Sequence, residues 1–214
     1  MKKILLLTGC IFSITNLSAA PFSEEREFTD IKHFALNQSS GTFVIQASST
    51  PVVKVSITSD QPECVTLFQK NGNSLSVINE FERGGCACNI SVLLPREIPI
   101  VGQVGKVNGE FQGIGGDVEL QAGVGQFQFH GTTSNVKVGL GKGSLFFKPG
   151  ISDTTQNFKV AVGIVSSVNF ELPGGTTYNH KVNGLGIRRT VNVPLQKVNP
   201  NYFLKMEGTF SSLK

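Results

Sequence analysis

Tryptophan is absent from this chain and tyrosine occurs only twice, so aromatic side chains with a polar handle are nearly missing. That disfavours a recognition surface built on such handles, and the 16 phenylalanines read as packing residues. Charge is scarce as well, at 16% of residues. Once an amino-terminal leader containing Lys2 and Lys3 is removed, 17 basic residues face 15 acidic ones, a net charge of +2. Such a balance excludes a general nucleic-acid binder from the leading readings. Histidine occurs three times, as His33, His130 and His180, without a neighbouring metal-ligand pattern. His130 follows Phe129 at a position expected to face solvent. Beyond the leader no stretch approaches the ~20 apolar residues of a membrane-spanning helix. No Gly-x-Ser-x-Gly elbow occurs. Gly184-Leu185-Gly186 opens no helix that could offer its N-terminus to phosphate.

What the chain does have begins with that leader. Lys2 and Lys3 form a basic start, Ile4 to Leu17 is mostly apolar, and Ser18, Ala19 and Ala20 are small. Residues 1–19 therefore read as a signal peptide, cut between Ala19 and Ala20 so that Pro21 does not become the first residue. Leu7-Thr8-Gly9-Cys10 offers a minor alternative, a lipoprotein anchored at Cys10, although the apolar stretch before it is short. Either way the expected location is extracytoplasmic: periplasm, outer surface or medium.

Three cysteines remain in the mature chain, Cys64, Cys86 and Cys88. An oxidising compartment makes a disulfide the default. Cys86 and Cys88 share a face if they lie on one strand, so either can pair with Cys64. A zinc site is disfavoured because four ligands are not at hand.

Twenty-four glycines accompany the phenylalanines and β-branched residues, a composition of short strands and tight turns. From Gly116 to Ile151 the chain falls into four nine-residue units: GDVELQAGV, GQFQFHGTT, SNVKVGLGK and GSLFFKPGI. Third positions are Val118, Phe127, Val136 and Leu145; fifth positions are Leu120, Phe129, Val138 and Phe147. At 39% apolar content, eight apolar residues in two columns arise by chance about once in two thousand registers, so the period is real. These eight are the expected core. Glu119, Gln128 and Lys137 point to the opposite face, and Phe146 is an apolar exception there. The units alternate between an aliphatic pair and a Phe-containing pair. An eighteen-residue coil would put aliphatics on one wall and bulky rings on the other, which favours a β-solenoid over an antiparallel meander or sandwich.

Around this repeat the chain reads as all-β. Residues 20–40 are polar and acidic and are expected to be a flexible start. Residues 41–100 form a β lead-in, with a hairpin at Lys70-Asn71-Gly72-Asn73. Residues 101–214 form the solenoid. Gly102–Asn108 and Gly109–Gly115 read as two seven-residue rungs before the nine-residue units. Phe203-Leu204 and Phe210 supply a last strand or cap over an otherwise open edge.

Gly116-Asp117-Val118-Glu119-Leu120, preceded by Val107-Asn108-Gly109-Glu110-Phe111, resembles the repeated Gly-Asp-Val-x-Val rungs of the bacterial putative-adhesin families. The resemblance runs from about Phe43 to the C-terminus. It implies a secreted or envelope β-solenoid of unknown function and, by name only, adhesion. It supplies no catalytic residues to carry over. The Gly-Asp pair occurs once here, and the cysteines are atypical of the family.

For chemistry, the acids of the glycine-rich region are Glu110, Asp117 and Glu119. A polysaccharide-active enzyme on this scaffold would need them clustered with a base or calcium. Asp117 is equally a corner residue and Glu119 a solvated one. Gly115-Gly116-Asp117 lacks the spacing of a calcium-binding nonapeptide roll, and Gln126, Asn135 and Ser144 stand where acids would be needed. No catalytic, metal or cofactor residue is therefore assigned. Lys181, Arg188 and Arg189 form a basic cluster with two readings: an edge that blocks strand addition, or a contact for anionic surface sugars or lipid. The expected function is a non-enzymatic binding or scaffolding surface for a surface glycan or envelope protein. The alternatives are a polysaccharide-active enzyme and a ligand-free periplasmic structural protein.

Overall fold

The computed structural model describes residues 22–61, 64, 66–79, 87–183, 195 and 200–213. These form an all-β structure of twelve strands in one mixed sheet. Strands β7 (Ile100–Gln112), β8 (Val118–His130), β9 (Val136–Lys148) and β10 (Gln156–Phe170) stack in parallel. Ile100 pairs with Val118 and Val118 with Val136, a repeat of eighteen residues. The nine-residue period is half of that coil.

Each long strand folds back on itself. Phe158 and Phe170 both belong to β10, yet their ring centroids are 5.7 Å apart. A straight strand of that length would separate them by roughly 40 Å. The bend falls at stacked glycines. A Cβ on Gly123 would lie 2.9 Å from the carbonyl oxygen of Gly105, and one on Gly141 would lie 2.6 Å from that of Gly123. Backbones thus approach too closely at the corner for any side chain. The two half-strands become two facing walls with the core between them.

The walls differ as their sequences require. The first halves carry Val118 and Leu120, then Val136 and Val138, inward; the second halves carry Phe127 and Phe129, then Leu145 and Phe147. All eight are buried. On the second wall Phe111, Phe129, Phe147 and Phe170 occupy one register column. Their rings stack at 4.6, 4.8 and 4.7 Å. The walls meet edge to face where Phe147 touches Phe158 at 5.3 Å. Phe146 is half-buried on the outer face beside His130.

The structure departs from the sequence reading in four places. First, the stack starts earlier than residue 101. Strand β2 (His33–Ser48) pairs in parallel with β7 from Phe34 to Gln46 and is itself a rung. Its inward residues Phe34, Leu36, Phe43 and Ile45 are buried. The segment expected to be a flexible start therefore holds β1 (Phe22–Phe28) and the first half of β2. Strand β1 lies antiparallel to β3 (Val53–Ser59), where Glu25 and Lys54 pair at 2.7 Å.

Second, the two seven-residue rungs do not exist. Strand β7 is one full-length rung in register with β8. Gly109 stands in the column of Phe127, and the Phe43 ring fills the space its side chain would need. That vacancy hid the rung from the pattern. Third, β12 (Tyr202–Leu213) lies between β10 and β11 (Tyr178–Asn183), so β11 forms the outer edge beside it. Its buried residues are Tyr202, Leu204 and Met206, and Phe203 points outward. Fourth, Cys88 is a buried free thiol, which removes the Cys64–Cys88 pairing.

The lead-in caps the other end of the stack. Strands β4 (Thr66–Asn71) and β5 (Ser74–Asn79) form the expected hairpin, with Gly72 at φ 56° in the turn. Strand β5 extends the first wall beside β2; β6 (Cys88–Pro95) extends the second, followed by β3 and β1.

Candidate binding surface

A stack of in-register strands repeats its outward side chains as straight rows. Two rows on the first wall are chemically distinct. At the corner, Asp117, Asn135 and Asn157 follow one another on successive coils. The Asn135 backbone N–H and its Nδ2 both donate to Asp117 Oδ1 at 3.2 Å. Asn157 repeats the contact on Asn135 Oδ1 at 3.1 and 2.9 Å. Corner donors that would otherwise need water are satisfied from the coil below.

Two residues further along lies a row of charge. Glu119, Lys137, Lys159, Lys205 and Lys181 occupy one register position on β8, β9, β10, β12 and β11. Lys137 pairs with Glu119 at 2.6 Å, and Lys205 with Glu207 at 2.8 Å. The Lys205 hydrogen bond, helped by the positive charge of Lys181, holds the Glu207 carboxyl below the ordinary carboxylate range. Lys159 and Lys181 are exposed and have no acidic partner within 4.0 Å among the described residues. The two rows border a shallow groove of about 520 Å³ lined by Asp117, Glu119, Asn135, Lys137, Asn157 and Lys159 together with Pro99 and the exposed Val101. A smaller hollow of about 140 Å³ opens between Lys137, Lys159, Lys205 and Glu207.

The second wall is different in kind. Its outward rows carry Asn108, Gln126 and Ser144, then Glu110, Gln128 and Phe146. Here Gln112 donates to Glu110 at 2.8 Å, and His130 lies 3.0 Å from Gln128 and 3.8 Å from Glu110. Lys148 pairs with Glu171 at 2.7 Å. The charges on this wall are satisfied locally.

These positions decide what becomes of the three acids. Asp117 and Glu119 face out from the first wall and Glu110 from the second, so the sheet separates them. Asp117 is occupied by Asn135 and Glu119 by Lys137. Among the described residues no group of three or more His, Cys, Asp or Glu side chains is placed to hold a metal ion. Of the basic cluster, Lys181 ends the charged row on β11, while Arg188 and Arg189 lie outside the described residues. Lys137, Lys159 and Lys205 were not joined to it by sequence. The register that aligns them spans 22 residues from Val136 to Phe158 and 46 from there to Leu204.

The cysteines lie in the lead-in. Burial pushes the Cys88 thiol up to about 11, against a weaker opposing effect of hydrogen bonds from Thr66 and Gln38. Gln38 Nε2 also donates to the backbone oxygens of Cys88, Ser40 and Thr42 at 2.8, 3.0 and 3.2 Å, which pins the bend of β2. Cys64 is buried, with its sulfur 3.7 Å from the Ala87 carbonyl oxygen. Cys86 lies outside the described residues.

Comparison with known proteins bears on the fold. No family model matches the chain, and no curated protein does either. A solved structure described as a putative cell adhesion protein from Clostridium sporogenes is similar at 15% identity. The match covers 91% of this chain and 99% of that one with a TM-score of 0.50. A putative adhesin from Parabacteroides merdae matches at 11% identity over 88% of this chain and 96% of that one, TM-score 0.32. A putative lipid binding protein from Parabacteroides distasonis matches at 11% identity over 92% and 97%, TM-score 0.31. The first of these shows the fold to be shared with a protein of adhesin-like description.

Proposed function

We propose that this chain is an extracytoplasmic, non-enzymatic binding protein whose ligand lies across the outer face of the first wall. One observation carries this reading. The face presents parallel rows of polar and charged side chains at a fixed spacing, set on rigid strands over a fully buried core. Such a surface makes many weak, repeated contacts with an extended partner without moving to do so. A surface glycan or an envelope protein has the extended, hydrogen-bonding character that fits it. The likeness to structures described as adhesins supports a binding role, and the basic, apolar, small-residue order of residues 1–19 supports export. No helix among the described residues is long and apolar enough to cross a membrane.

The engagement of Asp117 by Asn135 and of Glu119 by Lys137 supports binding over glycan cleavage, because a cleaving pair needs carboxyl groups free to flank one bond. Protease added to intact cells tests the placement. Digestion of the chain puts its surface outside the cell, where adhesion is expected. Protection, with cleavage only after the outer membrane is disrupted, makes it a periplasmic scaffold and overturns the adhesin reading.

A further inference from the structure

We propose that the row Lys137, Lys159, Lys205 and Lys181 is a binding track for a linear anionic polysaccharide. The inference rests on the reading of this chain as a binding protein and names the chemistry of its ligand. Neighbouring strands lie about 4.8 Å apart, so four ammonium groups in one register position span roughly 14 Å in a straight line. A linear chain of uronic acid or sulfated sugar carries an anion on successive units at a repeat comparable to the strand spacing.

The charges on the track are uneven in a useful way. Glu119 and Glu207 engage Lys137 and Lys205, whereas Lys159 and Lys181 keep their ammonium groups in solvent. The two lysines without an acidic partner within 4.0 Å among the described residues alternate with the two paired ones across the sheet. Beside the track, the Asn135 and Asn157 amides offer neutral polar groups to sugar hydroxyls along the same groove. A polymer with one anion and several hydroxyls per unit meets both rows at once.

Other polyanions fit less well. A membrane surface calls for apolar or aromatic side chains that enter the acyl boundary. The outward positions beside the track carry Asn, Glu, Gln, Gly and Ala, with Phe203 as the single aromatic among the described residues. A single-stranded nucleic acid calls for a succession of aromatic stacking platforms, and among the described residues Phe203 alone flanks these lysines.

The test uses the full purified chain and measures retention on polygalacturonic acid, dextran sulfate, neutral dextran, and phosphatidylcholine vesicles containing phosphatidylglycerol. The expected result is binding to both polyanionic polysaccharides at low salt, with loss in 1 M salt as the Debye length falls to about 3 Å. The double variant K159Q/K181Q should bind about 25-fold more weakly, taking about fivefold per lysine at a polyanionic surface. K159R/K181R should restore binding. E119Q, which releases Lys137 from its pair, should strengthen it. K106Q/K142Q, at the bend, should leave it unchanged. Equal binding by K159Q/K181Q with an unaltered melting temperature overturns the track, as does preference for vesicles. Binding to neutral dextran alone sinks the track but leaves the binding reading standing. Loss of both needs failure to bind any glycan or envelope protein.

Discussion

Phe129→Ala probes the two-walled packing at a fully enclosed ring. The side chain is fully buried, with Phe111 stacked on one face at 4.6 Å and Phe147 on the other at 4.8 Å. A phenylalanine so placed hides roughly 200 Å², or about 5 kcal/mol at 25 cal/mol per Å². A compact denatured chain already hides part of that area, which reduces the transfer share to about 3–4 kcal/mol. The cavity between two rings that cannot collapse, together with two lost stacking contacts, adds about 1 kcal/mol. The expected cost is therefore about 4 kcal/mol, within the usual range for Phe to Ala. Phe170→Ala should cost somewhat less, by less than about 1 kcal/mol, since that ring is slightly exposed and has an edge contact with Phe158 at 5.7 Å in place of a second stacked neighbour. Urea denaturation followed by circular dichroism gives both values from the midpoint, provided the slope is unchanged. A loss below about 1 kcal/mol for Phe129→Ala, or a larger loss at Phe170, would refute the ladder as the centre of the core.

Further outcomes follow from the same geometry. Gly141→Ala should cost about 1–3 kcal/mol, because its Cβ would meet the Gly123 carbonyl oxygen at 2.6 Å; an unchanged denaturation midpoint contradicts the glycine bend. Lys137→Met should change stability by less than about 1 kcal/mol, since both partners of its ion pair with Glu119 are about half exposed. The Cys88 thiol should resist a disulfide reagent at pH 8 until the chain unfolds, and prompt labelling of the native protein contradicts its burial. Its raised pKa also sets a sign: below pH 9 both states hold the proton and stability is unaffected. Between pH 9 and about 11 the unfolded state ionises first and stability falls with rising pH. Cys88→Ala should lack that part of the decline. With Cys88 free, Cys64 is expected to pair with Cys86; reducing agent should then lower the melting temperature, and a non-reducing peptide map without that bridge excludes the pair.

Much of the coil was legible because each half-strand contributes two inward side chains at a constant interval. Val118, Leu120, Phe127 and Phe129 alone define both walls, and their aliphatic and aromatic character tells the walls apart. What stayed hidden has physical causes. Gly109 leaves a hole in its column that Phe43 fills from another rung, so no local pattern marks β7 as a full coil. Strand β2 pairs with β7 across the inserted strands β3 to β6, a distance no periodicity bridges. The site was less legible than the fold. Sequence placed Lys181 in a basic cluster with Arg188 and Arg189 and placed Lys137 on the outer face. Only the register of β9, β10, β12 and β11, set by turns of unequal length, brings these two lysines into one row with Lys159 and Lys205.

The most direct test of a binding surface as opposed to an enzyme is one incubation with two readouts. The purified chain is mixed with neutral and anionic polysaccharides, and both the bound fraction and new reducing ends are measured. Retention of polysaccharide with no new reducing ends is the predicted result. Release of reducing ends that disappears in D117N and E119Q would contradict it and make the first wall an active site.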